Sequence, residues 1–119
     1  MKVVKNISTI LITDIVGYSK LSGDNQEVAL ELLKEHDKIL FDSIQSHSGA
    51  VLKNRGDGVI AQFNSPIDSI RMAIQVQRQF KKRNTLNVKS RNLNVRIGMH
   101  YGEYLQEGDD IHGDCINIA

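Results

Sequence analysis

The sequence predicts an α+β domain of the ferredoxin-like kind, in which two helices cover one face of a βαββαβ sheet. Three observations predict it: short apolar or alternating runs typical of strands, two longer stretches with helical spacing, and a glycine-containing turn between neighbouring strands. A chain of 119 residues is enough for one core of two packed layers. We therefore expect one domain over residues 1–119.

The first strand is predicted at 7–13, where Ile, Leu and Thr dominate and the near-continuous apolar character indicates burial on both faces. A loop containing Gly17 and Gly23 should follow. Asp24 and Glu27 have the spacing of a helix N-cap and its reciprocal partner, and apolar residues then recur at helical spacing. The chain is thus expected to pass from a central strand through a loop into the first long helix.

Two short strands, at 50–53 and 59–63, are predicted around a turn that contains Gly56, Asp57 and Gly58. The two glycines permit the positive φ angles of a tight hairpin. Asp57 should therefore lie at or beside the turn.

The second long helix is predicted to begin at Ser65, with Pro66 in its first turn. Strict alternation of apolar and other residues at 93–99 predicts a strand with one buried face. A shorter strand around 104–106 and the opening of a further helix at 114–119 complete the order. The inward face of the second helix is predicted to carry Ile67, Ile70, Ala73, Ile74 and Phe80.

Composition excludes several functional classes. Fifteen Lys and Arg against fourteen Asp and Glu create no overall field that would attract nucleic acid or a membrane surface. No stretch approaches the roughly 20 apolar residues of a membrane span. Cys115 is the only cysteine, which suits a reducing compartment. We therefore expect a cytoplasmic domain that contacts neither nucleic acid nor membrane.

Two acidic residues stand where the predicted strands end or turn. Asp14 follows the first strand and Asp57 lies at the hairpin, and the first strand can pair beside that hairpin. Mg²⁺ prefers oxygen ligands and accepts one or two carboxylates, with waters and substrate phosphates completing its octahedron. From position alone, a loop cap at Asp14 and a turn former at Asp57 are the favoured explanation. The stretch 15–19, which contains Gly17 and Tyr18, could turn backbone N–H groups toward an anion or could be an ordinary connection.

Four segments follow one another along the chain: ITDIVGYS at 12–19, KNRGDG at 53–58, RIGMHYGE at 96–103 and GDCINIA at 113–119. Together and in this order they resemble the catalytic domains of class III nucleotidyl cyclases. The resemblance implies the palm-type form of the ferredoxin-like fold and a reaction in which the ribose 3′-hydroxyl of a nucleoside triphosphate attacks the α-phosphate. The products are a 3′,5′-cyclic nucleotide and pyrophosphate.

The same resemblance implies roles for the two acidic residues and their neighbours. Asp14 and Asp57 would hold two Mg²⁺ or Mn²⁺ ions, with the carbonyl group of Ile15 as a further ligand. Gly17 and Tyr18 would contact the phosphates. Sites of this family form between two protomers, so a homodimer or a heterodimer with another cyclase domain is expected.

Lys53 and Asp110 match the positions that read the purine in adenylate cyclases, and ATP is therefore the expected substrate. A lysine can donate to adenine N1 and a carboxylate can accept from its N6 amino group, whereas guanine presents the opposite pattern. Asn117 matches the asparagine that orients the ribose or the transition state. Its usual companion arginine would stand four residues later, past Ala119, so the domain is expected to be incomplete at its C-terminus and this chain inactive alone.

Departures from the family pattern leave alternatives open. Asn54 and Arg55 stand where Thr and an apolar residue are more usual. A nucleotide-binding or dimerisation module without turnover is therefore the second interpretation. Another palm-fold enzyme, such as a diguanylate cyclase, is the third and weakest, because its Gly-Gly-Asp/Glu-Glu-Phe hairpin is missing.

Overall fold

The computed structural model describes residues 3–107 and 110–112, with side chains over 7–103. It confirms the predicted α+β fold and adds a short helix and a fifth strand to it. A 3-10 turn at Lys89–Arg91 precedes β4. The elements are β1 (Val3–Ile15), α1 (Tyr18–Asp24), α2 (Gln26–Ser46), β2 (Gly49–Asn54), β3 (Gly58–Phe63), α3 (Pro66–Thr85), β4 (Val95–Glu107) and β5 (Asp110–His112).

The sheet has the strand order β2-β3-β1-β4-β5, with every neighbouring pair antiparallel. β1 is central, as its apolar sequence predicts, and it pairs with β4 from Val3 to Ile15. The predicted strand around 104–106 is the second half of β4, because pairing with β1 continues unbroken through Glu107. β1 and β4 are therefore the two long strands around which the sheet is built.

The main core lies between the sheet and the helices α2 and α3. Residues of β1, β3 and β4 that point to this face alternate with residues on the opposite face. The predicted alternation at 93–99 is confirmed, since Leu93 and Val95 are buried and Ile97 and Met99 pack against the same cluster. Burying an aliphatic side chain of this size contributes roughly 1.5–3 kcal/mol. This layer therefore fixes which residues remain on the other face of the sheet.

The predicted inward face of α3 is wrong for its three isoleucines, although Phe80 is buried as predicted. Ile67, Ile70 and Ile74 are exposed by 59%, 47% and 49%. The helix instead buries a different row, with i, i+4 spacing, in which Met72, Val76 and Phe80 pack into the main core. The buried residues of α3 are Ser69, Met72, Val76 and Phe80. Ser69 is tolerated there because its hydroxyl donates to the Pro66 carbonyl at 2.7 Å.

The segment after β1 also differs from the prediction. Tyr18–Asp24 forms the helix α1 in place of a loop. The N-cap of α2 is Asn25, one residue after the predicted Asp24, and the Asn25 side-chain oxygen accepts a hydrogen bond from the Val28 N–H at 3.1 Å. Asparagine and aspartate serve equally well at this position. The spacing of polar residues therefore located the helix start to within one residue.

Arg83 joins α3 to α2 and to the segment before β4. Its guanidinium donates to both carboxylate oxygens of Glu35, at 2.7 and 2.9 Å, and to the side-chain oxygen of Asn84 at 3.0 Å. It also donates to the carbonyl of Arg91. The Arg83 side chain is only 10% exposed, whereas Glu35 is 43% exposed. The hydrogen bond from Arg83 and its charge lower the pKa of Glu35 below the ordinary carboxyl value, against a smaller opposing effect of burial.

Arg83→Met should lower the free energy of unfolding by about 1–3 kcal/mol, because it removes the part-buried hydrogen bond to the Arg91 carbonyl and one of the two donors to the Asn84 side-chain oxygen. Solvent screening at Glu35 keeps the ion pair itself a minor part of this loss. Urea unfolding measures the change, and Arg78→Met on the exposed face of α3 is the matched control. Because the pKa of Glu35 is lowered by folding, its contribution is present above the ordinary carboxyl pKa and disappears as pH falls through the lowered value. Glu35→Gln should therefore flatten the acid side of the stability profile, and an unchanged profile would contradict the assignment.

Candidate active site

The structure brings the two acidic positions together at one end of the central strands. Asp14 is the penultimate residue of β1 and lies opposite Gly58 of β3, the residue that follows Asp57. The N–H of Ile15 donates to the carbonyl of Asp57 at 3.0 Å. The pairing of β1 with β3, which the sequence allowed but did not require, creates this neighbourhood. Both acidic side chains are half-buried.

The hairpin turn before β3 holds Asp57 by local hydrogen bonds. The side-chain oxygen of Asn54 accepts from the Gly56 N–H at 2.9 Å, and the Arg55 N–H donates to the Gly58 carbonyl at 2.8 Å. Of the two glycines, Gly56 adopts a positive φ of 89°. At Gly58 the limit is space, since an added Cβ would lie 3.0 Å from a carbonyl oxygen of β1. Asn54, an apparent departure from the family pattern, thus stabilises the turn.

Arg96 of β4 lies directly opposite Asp14 and binds its carboxylate with both prongs of the guanidinium. The distances are 2.8 Å from Nε to Oδ1 and 2.7 Å from Nη2 to Oδ2. The hydrogen bonds and the charge of Asp14 raise the pKa of Arg96 above its ordinary value. In the sequence, Arg96 is the first residue of the segment at 96–103, and no functional role could be predicted for it. Alternation along β4 places it away from the core, but the register that sets it against Asp14 appears only in the structure.

The connection from β1 to α1 is shorter than the predicted anion-binding loop. Gly17 has a φ of 76° and precedes α1, and Tyr18 is already the first residue of that helix. The Tyr18 side chain is half-buried against the main core. The N–H of Ile15 and that of Val16 are both used, the latter by a 2.8 Å bond to the Asn94 carbonyl. Only the end of the predicted loop therefore keeps backbone donors that could face a phosphate.

The remaining predicted residues lie farther from Asp14 or outside the described part of the chain. Lys53 of β2 pairs with Ile60 of β3, and Ile60 pairs with Ile12 of β1. Lys53 therefore lies on the same face of the sheet as Asp14, two strands away. That offset corresponds to about 10 Å across the sheet. The backbone of Asp110 in β5 faces Glu107 near the opposite end of β4, and its side chain is not among those described. Asn117 lies outside the described residues.

An open groove of about 300 Å³ contains Asp14 and Arg96 on their side of β1 and β4. Over residues 7–103, whose side chains are described, no three His, Cys, Asp or Glu side chains converge as a metal cluster. Two aspartates at neighbouring backbone positions, without a third acidic, histidine or cysteine ligand among the described side chains, suit Mg²⁺ or Mn²⁺ bound together with substrate phosphates and water, and do not suit a closed structural site. The donor set of Asp14 and Asp57 therefore fits the ions that the family pattern implies.

Comparison with known proteins agrees with this geometry. Residues 2–119 match the family described as the adenylate and guanylate cyclase catalytic domain. The chain superimposes on the crystal structure of an adenylate/guanylate cyclase/hydrolase from Silicibacter pomeroyi with a TM-score of 0.89 and 28% identity, covering 99% of this chain and 69% of that one. The fold and the sequence together define a class III cyclase domain. The chain belongs to the adenylate and guanylate cyclase catalytic domain family.

Curated relatives are much longer proteins. Serine/threonine-protein kinase pkn2 of Myxococcus xanthus is 29% identical over 111 residues, which are 92% of this chain and 13% of that protein. Adenylate cyclase 1 of Rhizobium meliloti strain 1021 is 25% identical over 131 residues, covering 93% of this chain and 19% of that protein. The chain thus spans a fifth or less of each curated relative that it matches.

Proposed function

We propose that this domain converts ATP to 3′,5′-cyclic AMP and pyrophosphate as half of a dimeric adenylate cyclase. The observation that carries the proposal is the juxtaposition of Asp14 and Asp57 at the end of β1, in a chain that belongs to the cyclase family. Membership of the family supports cyclase chemistry. The choice of ATP rests on Lys53 and Asp110.

In this proposal Asp14, Asp57 and the carbonyl of Ile15 hold two Mg²⁺ or Mn²⁺ ions. Such ions, when bound, activate the attacking hydroxyl and neutralise charge on the phosphates. The protein's own contribution is to fix the two carboxylates, one by the β1–β4 pairing and the other by the hairpin turn. Catalysis of this kind depends on positioning and on charges arranged before the substrate arrives.

The other predicted residues complete the site across a dimer. Gly17 and Tyr18 contact the phosphates, and Asn117 orients the ribose or the transition state. Lys53 and Asp110 read the purine. In this proposal one protomer holds the metal ions and the other supplies the contacts to the purine and the transition state.

A module that binds nucleotide without turnover is the second candidate. The complete ion pair on the Asp14 carboxylate is the observation that favours it, since a carboxylate already bound by Arg96 is a weaker ligand for a cation. Binding of an ATP analogue with no cyclic nucleotide from any longer form of the chain would support this second function.

The domain is proposed to act in the cytoplasm. Among the described residues, no helix has both the length and the apolar character needed to cross a membrane. We also propose that 1–119 is a cyclase domain incomplete at its C-terminus. The 119-residue chain alone should therefore turn over little substrate, and activity tests need a form that continues past Ala119.

A form extended past Ala119 should make cyclic AMP from ATP at least about tenfold faster than cyclic GMP from GTP, because each mismatched buried hydrogen bond costs about 1–3 kcal/mol. The combined change Lys53→Glu and Asp110→Cys should reduce this ratio. Turnover of both nucleotides with Mn²⁺ at equal concentration measures it, and Lys38→Glu on the exposed part of α2 is the control. Faster formation of cyclic GMP by the unchanged protein would refute the assignment of these two residues.

A further inference from the structure

The bidentate ion pair between Arg96 and Asp14 occupies both oxygens of a carboxylate that the proposed function assigns to metal binding. The two residues face each other across β1 and β4, so backbone pairing sets their distance. Their side chains are 73% and 44% exposed, which leaves the pair accessible to ions. Arg83 donates to three different residues, whereas the described side-chain hydrogen bonds of Arg96 all go to one. Asp14 is its described hydrogen-bond partner.

We propose that Arg96 is an internal counter-ion that competes with divalent cations for Asp14 and so sets how tightly the site binds metal in the absence of nucleotide. The inference rests on the proposed function, because it takes Asp14 as a metal ligand. Arg96 is a positioning residue in this proposal. It holds the carboxylate in a fixed orientation until a cation takes its place.

The chemistry of the carboxylate supports competition over simultaneous binding. Arginine approaches in the plane of the carboxylate and uses one lone pair of each oxygen, leaving acceptor positions on the outer sides. A cation at those positions would lie within a few ångströms of the guanidinium and share one negative charge with it. The repulsion between a dication and a guanidinium at that range is worth on the order of tenfold in affinity, even with the screening of water.

A purely structural role explains the pair less well. An exposed ion pair contributes little to stability, and β1 and β4 already pair along thirteen residues of each strand. Metal affinity is therefore the property that Arg96 should change most.

The test measures binding of Mn²⁺ alone to the 119-residue chain at low ionic strength, from the electron paramagnetic resonance signal of the free ion. Arg96→Gln should bind Mn²⁺ on the order of tenfold more tightly than the unchanged chain. Arg96→Lys, which keeps the charge but loses the bidentate geometry, should lie between them. Arg78→Gln makes the same charge change on the exposed face of α3 and should leave the affinity unchanged.

The double variant Arg96→Gln with Asp14→Asn locates the effect. When Asp14→Asn is already present, Arg96→Gln should not tighten Mn²⁺ binding, because the carboxylate for which Arg96 and the cation compete is gone. Equal or weaker binding by Arg96→Gln, tightening that persists in the double variant, or no Mn²⁺ binding by either form would each overturn the proposal. Failure of the proposed function would give a different result. Arg96→Gln would still bind Mn²⁺ more tightly, but forms of the chain extended past Ala119 would make no cyclic nucleotide.

Discussion

Asp14→Asn and Asp57→Asn should each reduce cyclic AMP formation by an extended form of the chain by at least about 10²–10³-fold. Asparagine keeps the size of the side chain but removes the negative charge that a divalent cation needs. Both residues lie at the same end of β1, so both losses should be severe. Turnover of ATP at saturating Mn²⁺ measures the effect.

Loss of folding must be separated from loss of chemistry in these variants. Asp14 is 44% exposed and its ion pair contributes little to stability, so Asp14→Asn should unfold in urea within about 1 kcal/mol of the unchanged protein. Asp42→Asn, at an exposed position of α2, is the control for charge and should keep full activity. Near-normal turnover by either site variant would remove that residue from the proposed metal site.

The sequence predicted the elements of the fold better than the orientation of its helices. Apolar runs and alternation identified β1 and the start of β4 because those patterns follow directly from strand geometry. In α3 two stripes compete, one with Ile67, Ile70 and Ile74 and one with Met72, Val76 and Phe80. Only packing against the sheet decided between them, and it buried the stripe that ends at Phe80.

Long-range pairing limited what could be predicted of the site. Asp14 and Asp57 could be chosen from their places at a strand end and a turn, but their adjacency depends on β1 lying beside β3. Arg96 shows the limit more clearly, since it is 82 residues from Asp14 and meets it through one register of the β1–β4 pair. A shift of that register by one residue would have turned Arg96 to the core face.

Burial of polar groups was also hard to foresee. His36 is fully buried in α2, stacks on Phe80 with ring centroids 5.7 Å apart and bonds the neighbouring Asp37 at 2.9 Å. A histidine among apolar residues at helical spacing gives no sign of such an environment. Its position between α2 and α3, away from Asp14, makes it part of the core and not of the candidate site.

Mixing two inactive variants should restore activity if the site is shared between protomers. Asp14→Asn would disable the metal-binding half of a site, and Asn117→Ala would disable the half that the partner supplies. In a homodimer, each variant alone damages both sites. A mixed dimer instead combines both defects in one site and leaves the other intact. Extended forms of the two variants, each with on the order of 1% of normal turnover, are suitable partners.

An equal mixture should recover about a quarter of normal cyclic AMP formation, because about half of the dimers are mixed and each of these has one working site of two. The control mixes Asp14→Asn with Asp57→Asn. Both changes affect the metal-binding half of a site. Each of the two sites in the mixed dimer takes this half from one variant or the other, so both sites are damaged and no recovery is expected. Turnover is measured after the proteins have exchanged subunits, as shown by a size-distinguishable tag on one of them. If confirmed exchange leaves the first mixture no more active than the control, the site lies within one chain, and the offset between Lys53 and Asp14 must be bridged by a single protomer.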